Sequence, residues 1–211
     1  MDLKEASPKK RASDFWSWFV ANEHLYRDVE VPEKESLLDA LLERLQAFCA
    51  QLWFEVGGGP TGPRELVITA EGRIEVFPSL LELTRAAPDI PGWQVVAFKQ
   101  PQGFEFVVHY EDIVVAPEAT WFLPLFSQED PESLGLRLAF AHFEQKKKRQ
   151  FLAAAYVLLE AGLGELAAAE EVAHVEVCQA PSSPEGSGYL SLRSLREYLD
   201  GRSPKFDRGS V

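Results

Sequence analysis

Three of the four histidines stand two positions before a glutamate, as His109-Tyr110-Glu111, His142-Phe143-Glu144 and His174-Val175-Glu176. In a strand, residues two apart point to the same face, so each pair would present an imidazole and a carboxylate together, a donor set suited to a divalent transition metal. Metal-assisted hydrolysis is the chemistry such a centre would support. The simpler account makes these residues polar positions on the wet face or the ends of a sheet, in a chain already rich in glutamate, and no metal is assigned to His109, Glu111, His142, Glu144, His174 or Glu176. The H-x-E element of zinc deaminases is matched, but its P-C-x-x-C partner is missing.

Other chemistry has less to stand on. Gly57-Gly58-Gly59-Pro60-Thr61-Gly62-Pro63 could bring backbone close to a phosphate, yet it lacks the G-K-[ST] ending of a P-loop and joins two strand-like segments, so it reads as a hairpin loop. No cofactor is expected. There is no G-x-S-x-G elbow, and Cys49 falls on an apolar helical stripe, where a thiol behaves as a small hydrophobe. Cys178 and His174 lie four residues apart in an extended segment, about 13 Å along the strand, too far to touch. Lys146-Lys147-Lys148-Arg149 is a basic run whose simpler account is the solvated first turn of a helix, awkward because cations are disfavoured there, and whose alternative is a group that meets an anion or an acidic surface elsewhere. Glu165, and the Glu111-Asp112 pair after His109, are the carboxylates to inspect for acid–base work, with capping and turn formation as their cheaper roles. No catalytic residue is assigned.

The elements that must position these groups follow from periodicity. Ser13 is an N-cap for a first helix running to about Arg27, and it carries four rings in five residues, Phe15-Trp16-Ser17-Trp18-Phe19. Successive helical residues are about 100° apart, so Phe15, Trp16 and Phe19 face a core together while Trp18 points elsewhere. Trp18 is the candidate for contact with a partner. A second helix spans Glu35 to Gln51, with Leu37, Leu38, Leu41, Leu42, Leu45, Phe48 and Cys49 on one stripe. Leu52 to Val56 and Leu66 to Thr69 make an antiparallel hairpin, and a helix follows from Pro78 to Ala87. Trp93 to Phe98 and Phe104 to His109 read as a second strand pair turning at Pro101 and Gly103, with Ile113 to Val115 extended after it. Strands are expected at Trp121 to Leu123, Leu136 to Phe143 and His174 to Cys178, and helices at Gln145 to Ala161, Glu165 to Glu171 and Leu192 to Leu199. The pattern is α+β with a mainly antiparallel sheet, ferredoxin-like hairpin, helix and strand elements and an N-terminal helical pair. The hairpin–helix–strand unit appears once cleanly and again more loosely. Residues 1–12 read as a disordered basic leader, 13–201 as a single domain and 202–211 as a flexible tail.

With 211 residues, 46% of them hydrophobic, the chain can bury a substantial core. Its 33 acidic residues against 21 basic ones give a net charge of −12. Such a chain repels phosphate backbones, which disfavours nucleic acid as a partner, and attracts a basic protein. Two cysteines are too few for a disulfide scaffold, no run of eighteen apolar residues occurs and the leader has no apolar stretch, so a cytoplasmic protein without a membrane segment is expected.

Phe15-Trp16-x-Trp18-Phe19, Glu65-Leu66-Val67-Ile68-Thr69-Ala70-Glu71-Gly72, Phe77-Pro78 with Ala87-Pro88, Trp93-x-Val95-x-Ala97-Phe98 and Leu163-Gly164-Glu165 together resemble a family of uncharacterised bacterial proteins, a domain of unknown function, over the stretch from Phe15 to about Leu199. The resemblance implies a bacterial cytoplasmic protein and supplies no active-site residues. The leading expectation for function is a non-catalytic, acidic protein-binding or regulatory module, immunity-like, working as a monomer or homodimer. The alternatives are a metal-dependent hydrolase built on the His-x-Glu pairs and a structural subunit of an oligomer.

Overall fold

The computed structural model describes residues 8–27, 34–58, 62–128, 130 and 133–202. It has the α+β class expected, and the chain divides into two compact units, Met1–Lys99 and Gln100–Val211. Each unit has its own sheet and its own buried cluster, so each closes a core without borrowing strands from the other.

The first unit opens with α1 (Pro8–Asn22) and a 3-10 turn, Glu23–Tyr26. The helix starts five residues before Ser13, so part of the expected leader is helical, and Ala12 is buried. Proline is tolerated at a first helical position, and the Arg11 guanidinium lies 5.9 Å from the centre of the Phe48 ring, a cation–π contact that ties down this early start. α2 (Lys34–Phe48) turns Leu41, Leu45 and Phe48 inward. The strands β1 (Trp53–Gly57) and β2 (Arg64–Thr69) form the expected antiparallel hairpin, with Phe54 opposite Ile68 and Val56 opposite Leu66.

A 3-10 turn at Ile74–Val76 leads into α3 (Phe77–Arg85), and the chain returns as β3 (Trp93–Ala97), parallel to β2. The expected pairing of Trp93–Phe98 with Phe104–His109 is therefore not formed. The α3 crossover brings β3 back beside β2 in the same direction, and Phe98, at φ 65°, turns the chain out of the strand while its N–H donates to the Ile68 carbonyl at 2.9 Å. Phe15, Trp16 and Phe19 are buried together as the 100° spacing requires. Trp16 Nε1 donates to the Leu83 carbonyl at 2.8 Å, and the Phe19 ring meets Trp93 edge-on at 5.1 Å.

The second unit begins with a small ribbon, β4 (Val108–Tyr110) antiparallel to β5 (Ile113–Val115). Next come β6 (Thr120–Phe126) and β7 (Leu134–Phe140), antiparallel, then a 3-10 turn at Gln145–Lys147, α4 (Lys148–Leu163), α5 (Glu165–Glu171) and β8 (His174–Gln179), which lies parallel to β7. A two-residue strand, β9 (Leu190–Ser191), adds antiparallel to the outer edge of β6, and α6 (Leu195–Arg202) ends the described chain. Arg202, expected in the tail, is thus helical, and the rest of the tail lies outside the described residues. The core of this unit is the row Leu134, Leu136, Leu138 and Phe140 with Phe122, packed with Phe151, Ala155, Leu158 and Leu159 of α4. Gly162 is required here because a Cβ at that position would fall inside the buried Phe104 ring.

The two units repeat one plan. Hairpin, helix and parallel strand run β1-β2-α3-β3 in the first and β6-β7-α4-α5-β8 in the second, with four residues between the second strand and the 3-10 turn in each. A Trp-Phe pair lies near the start of each hairpin: Trp53 opens β1 opposite Thr69, the last residue of β2, and Trp121 stands one residue into β6, opposite Ala139, the last residue but one of β7.

Candidate functional sites

The three His-x-Glu pairs do not come together. His109 is exposed on β4, but Glu111 sits in the turn after it at φ 52°, so the alternation that would align the two is broken; its carboxylate accepts from Gln150 Nε2 at 2.7 Å. His142 and Glu144 lie beyond the end of β7, which closes at Phe140, and Glu144 is engaged by Lys147 at 3.0 Å and Lys146 at 3.1 Å. Only His174 and Glu176 share a strand face, 3.6 Å apart. Among the described residues no three His, Cys, Asp or Glu side chains are placed to hold a metal ion.

His174 and Glu176 belong instead to a chain of polar groups on the face of the second sheet turned away from α4. Glu176 Oε2 accepts from Arg137 Nε at 2.8 Å, the two residues being register partners on β8 and β7. The guanidinium also reaches the Tyr189 hydroxyl, which lies 3.5 Å from Cys178 Sγ. The Arg137 bond holds the Glu176 carboxyl below its ordinary range, while burial, and then Cys178, push the Tyr189 phenol up. Cys178 and His174 thus share a face and connect through three other side chains without touching.

The basic run finds its anions inside its own unit. Lys147 Nζ lies 2.8 Å from Asp112 Oδ2 as well as meeting Glu144, and this lysine holds both carboxyls below their usual range. Lys148 and Arg149 line an open surface hollow with Gln145 and Leu152. Glu165 is fully buried at the first position of α5, directly after Gly164 at φ 82°. Trp18 is half-buried, with the Arg44 guanidinium of α2 5.7 Å from its ring centre and Tyr26 at 6.3 Å. Of the Gly57 to Pro63 loop, residues 59–61 lie outside the described residues.

A further surface stands out in the first unit. Lys34, Leu38, Asp39 and Leu42 of α2 and Trp53, Phe54, Glu55 and Val56 of β1 line a groove of about 340 Å³. The next row of α2, spaced by four residues, is Glu35, Asp39 and Glu43, all exposed and none paired with a cation among the described residues. On an isolated helix each like-charged i,i+4 pair costs about 0.2–0.5 kcal/mol, so the row is kept against its own repulsion. Several carboxylates elsewhere are matched to cations, Glu23 with Arg27, Glu71 with Lys99, Glu118 with Arg193, and Glu171 and Asp200 with Arg196, while what sets the α2 row apart is its spacing along one helix face beside the groove. The four-residue spacing of the acidic row and the repeated Trp-Phe dipeptide are both visible in the sequence, but only the strand order shows that they border one groove.

Comparison of the chain with protein-family models, with curated proteins and with solved structures finds no match. Among the described residues no single helix is long and apolar enough to cross a membrane.

Proposed function

We propose that this protein is a non-catalytic, acidic binding module of a regulatory, immunity-like kind, which works in the bacterial cytoplasm and engages a basic protein. The observation that carries the reading is the Glu35, Asp39 and Glu43 row beside the α2–β1 groove. These carboxylates have no cation to answer them within the described chain, whereas Glu176, Asp112 and Glu144 are each held by one. The net charge of −12 adds a long-range field of the same sign, which speeds encounter with a basic partner and is screened within about 10 Å at 0.1 M salt. The groove beside the row supplies apolar surface at Leu38, Leu42, Phe54 and Val56, so charge would steer and apolar burial would hold. The resemblance to bacterial proteins supports the compartment.

The test is capture by the full chain from a bacterial lysate at low and at high salt. A basic protein retained at low salt and released at high salt is the expected result. Recovery of no partner at either salt concentration would count decisively against the reading.

A further inference from the structure

The strand order of the two units differs at one place. In the second unit β6 has neighbours on both sides, β7 and β9; in the first unit the equivalent strand, β1, pairs with β2 alone among the described residues. The two residues of β6 that receive the added strand are Trp121 and Phe122, facing Ser191 and Leu190. The Trp-Phe pair of β1 is Trp53 and Phe54. The consequence of the missing strand is visible in burial: Phe122 is 0% exposed and its ring also meets Tyr198 at 5.4 Å, while Phe54 is only partly buried and Trp53 is 42% exposed. An open edge of this kind presents unpaired backbone N–H and C=O groups along a strand.

We propose that the outer edge of β1 accepts an antiparallel strand from a basic partner protein, in the way that β6 accepts β9. This rests on the protein-binding reading above and names how the partner is held. The chain's own second unit supplies the pattern of the occupant. A leucine, itself 40% exposed, faces the phenylalanine and a small polar residue faces the tryptophan, and the buried Leu192 opens the 3-10 turn Leu192–Ser194 that follows the two-residue strand. The added strand would gain backbone hydrogen bonds from β1 and lay alternate apolar side chains toward Leu38, Leu42 and Val56. The intervening side chain opposite Glu55, which also has Lys99 Nζ at 3.9 Å, would be lysine or arginine, and lysines flanking the strand on the α2 side would meet Asp39 and the Glu35 and Glu43 that extend its row. A second copy of this chain is a poor occupant. Antiparallel pairing of two β1 strands about their middle residue sets Glu55 against Glu55, and like charges directly opposite destabilise a sheet.

Three synthetic eight-residue peptides test this with the full chain: one carries the Leu-Ser-Leu order of residues 190–192 between lysines, one has glutamates in place of the lysines, and one is the lysine peptide with proline for serine. The lysine peptide is expected to bind and to slow amide hydrogen exchange at residues 53–56. The glutamate peptide should bind at least about tenfold more weakly, a difference of about 1.4 kcal/mol, and the proline peptide should give no protection because it cannot complete the ladder. The exposed double variant Asp39→Lys with Glu55→Lys, its fold checked by circular dichroism, should lose the lysine peptide by a similar factor and gain the glutamate peptide. Protection outside residues 53–56, equal binding of the proline peptide, or indifference to the double variant overturns the proposal, as does a dimer of the free chain in sedimentation that the double variant abolishes or strengthens. If a basic protein is still captured in a salt-dependent way while these peptide results fail, the β1 assignment falls and the binding reading stands. If nothing is captured either, both fall.

Discussion

Replacing Phe122 and, separately, Phe54 by alanine compares the phenylalanine of the Trp-Phe pair in two hairpins of similar plan. Phe122 is fully buried between β9, the core row of β7 and Tyr198, so its removal leaves a cavity closed on every side. A phenylalanine truncated in such a place costs about 3–5 kcal/mol, and the lost edge-on ring pair contributes about 0.5–1.5 kcal/mol of that. Phe54 lacks a β9 on its outer side and already has part of its ring in water, so its truncation removes less buried surface and leaves an open hollow; about 2 kcal/mol is expected. The assay is urea denaturation, followed by amide exchange under native conditions, which reports each unit separately. Phe122→Ala should lower the stability of the Gln100–Val211 unit at least about 1 kcal/mol more than Phe54→Ala lowers that of Met1–Lys99. Equal costs would refute the claim that β1 lacks a neighbour which β6 possesses.

Four further outcomes are expected. Gly162→Ala should destabilise the second unit by about 1–3 kcal/mol in urea, since the new methyl group must displace the buried Phe104 ring. Trp16→Phe should cost about 0.5–1.5 kcal/mol because the Leu83 carbonyl loses its 2.8 Å donor while keeping the Ala86 N–H at 3.2 Å, and a midpoint equal to that of the parent chain would count against this bond. The Glu176 carboxyl titrates below its ordinary value of 4.5 in the folded chain because Arg137 donates to it, so its contribution is fully present above about pH 4.5 and is lost as pH falls through the lower folded value. The pair is half-exposed, so Glu176→Gln should cost less than about 1 kcal/mol at pH 7, with a smaller effect at pH 3. Adding zinc to protein purified without a histidine tag should leave Tm unchanged, because among the described residues no three His, Cys, Asp or Glu side chains are placed to hold a metal ion; a rise of several degrees would reopen the hydrolase alternative.

Local signals carried much of the fold. The Leu41, Leu45 and Phe48 stripe marks α2, the Phe151, Ala155, Leu158 and Leu159 stripe marks α4, and α5 falls on the seven residues that periodicity assigns to it. The first hairpin was legible because β-branched residues flank a glycine-rich loop. What was lost is what depends on distant partners. Trp93–Ala97 looks the same in sequence whether it joins a hairpin or runs parallel to β2, and only the α3 crossover decides. β9 is two residues long, too short for any period to announce it. The His-x-Glu pattern presupposed continuous strands, and at Glu111 a left-handed turn interrupts one. The ion partners of Lys147 come from positions 112 and 144, so the sequence left a solvated helix turn and a group that meets an anion both open for the basic run, and only the fold names its anions.

The most direct test of the account is the salt dependence of binding to the captured partner, measured for the parent chain and for the triple variant Glu35→Lys, Asp39→Lys, Glu43→Lys. The parent should bind at least about tenfold more tightly at 50 mM than at 500 mM salt, and the triple variant should bind weakly at both. Equal affinity of the two chains at 50 mM salt would contradict the central claim that this acidic row is what the partner meets.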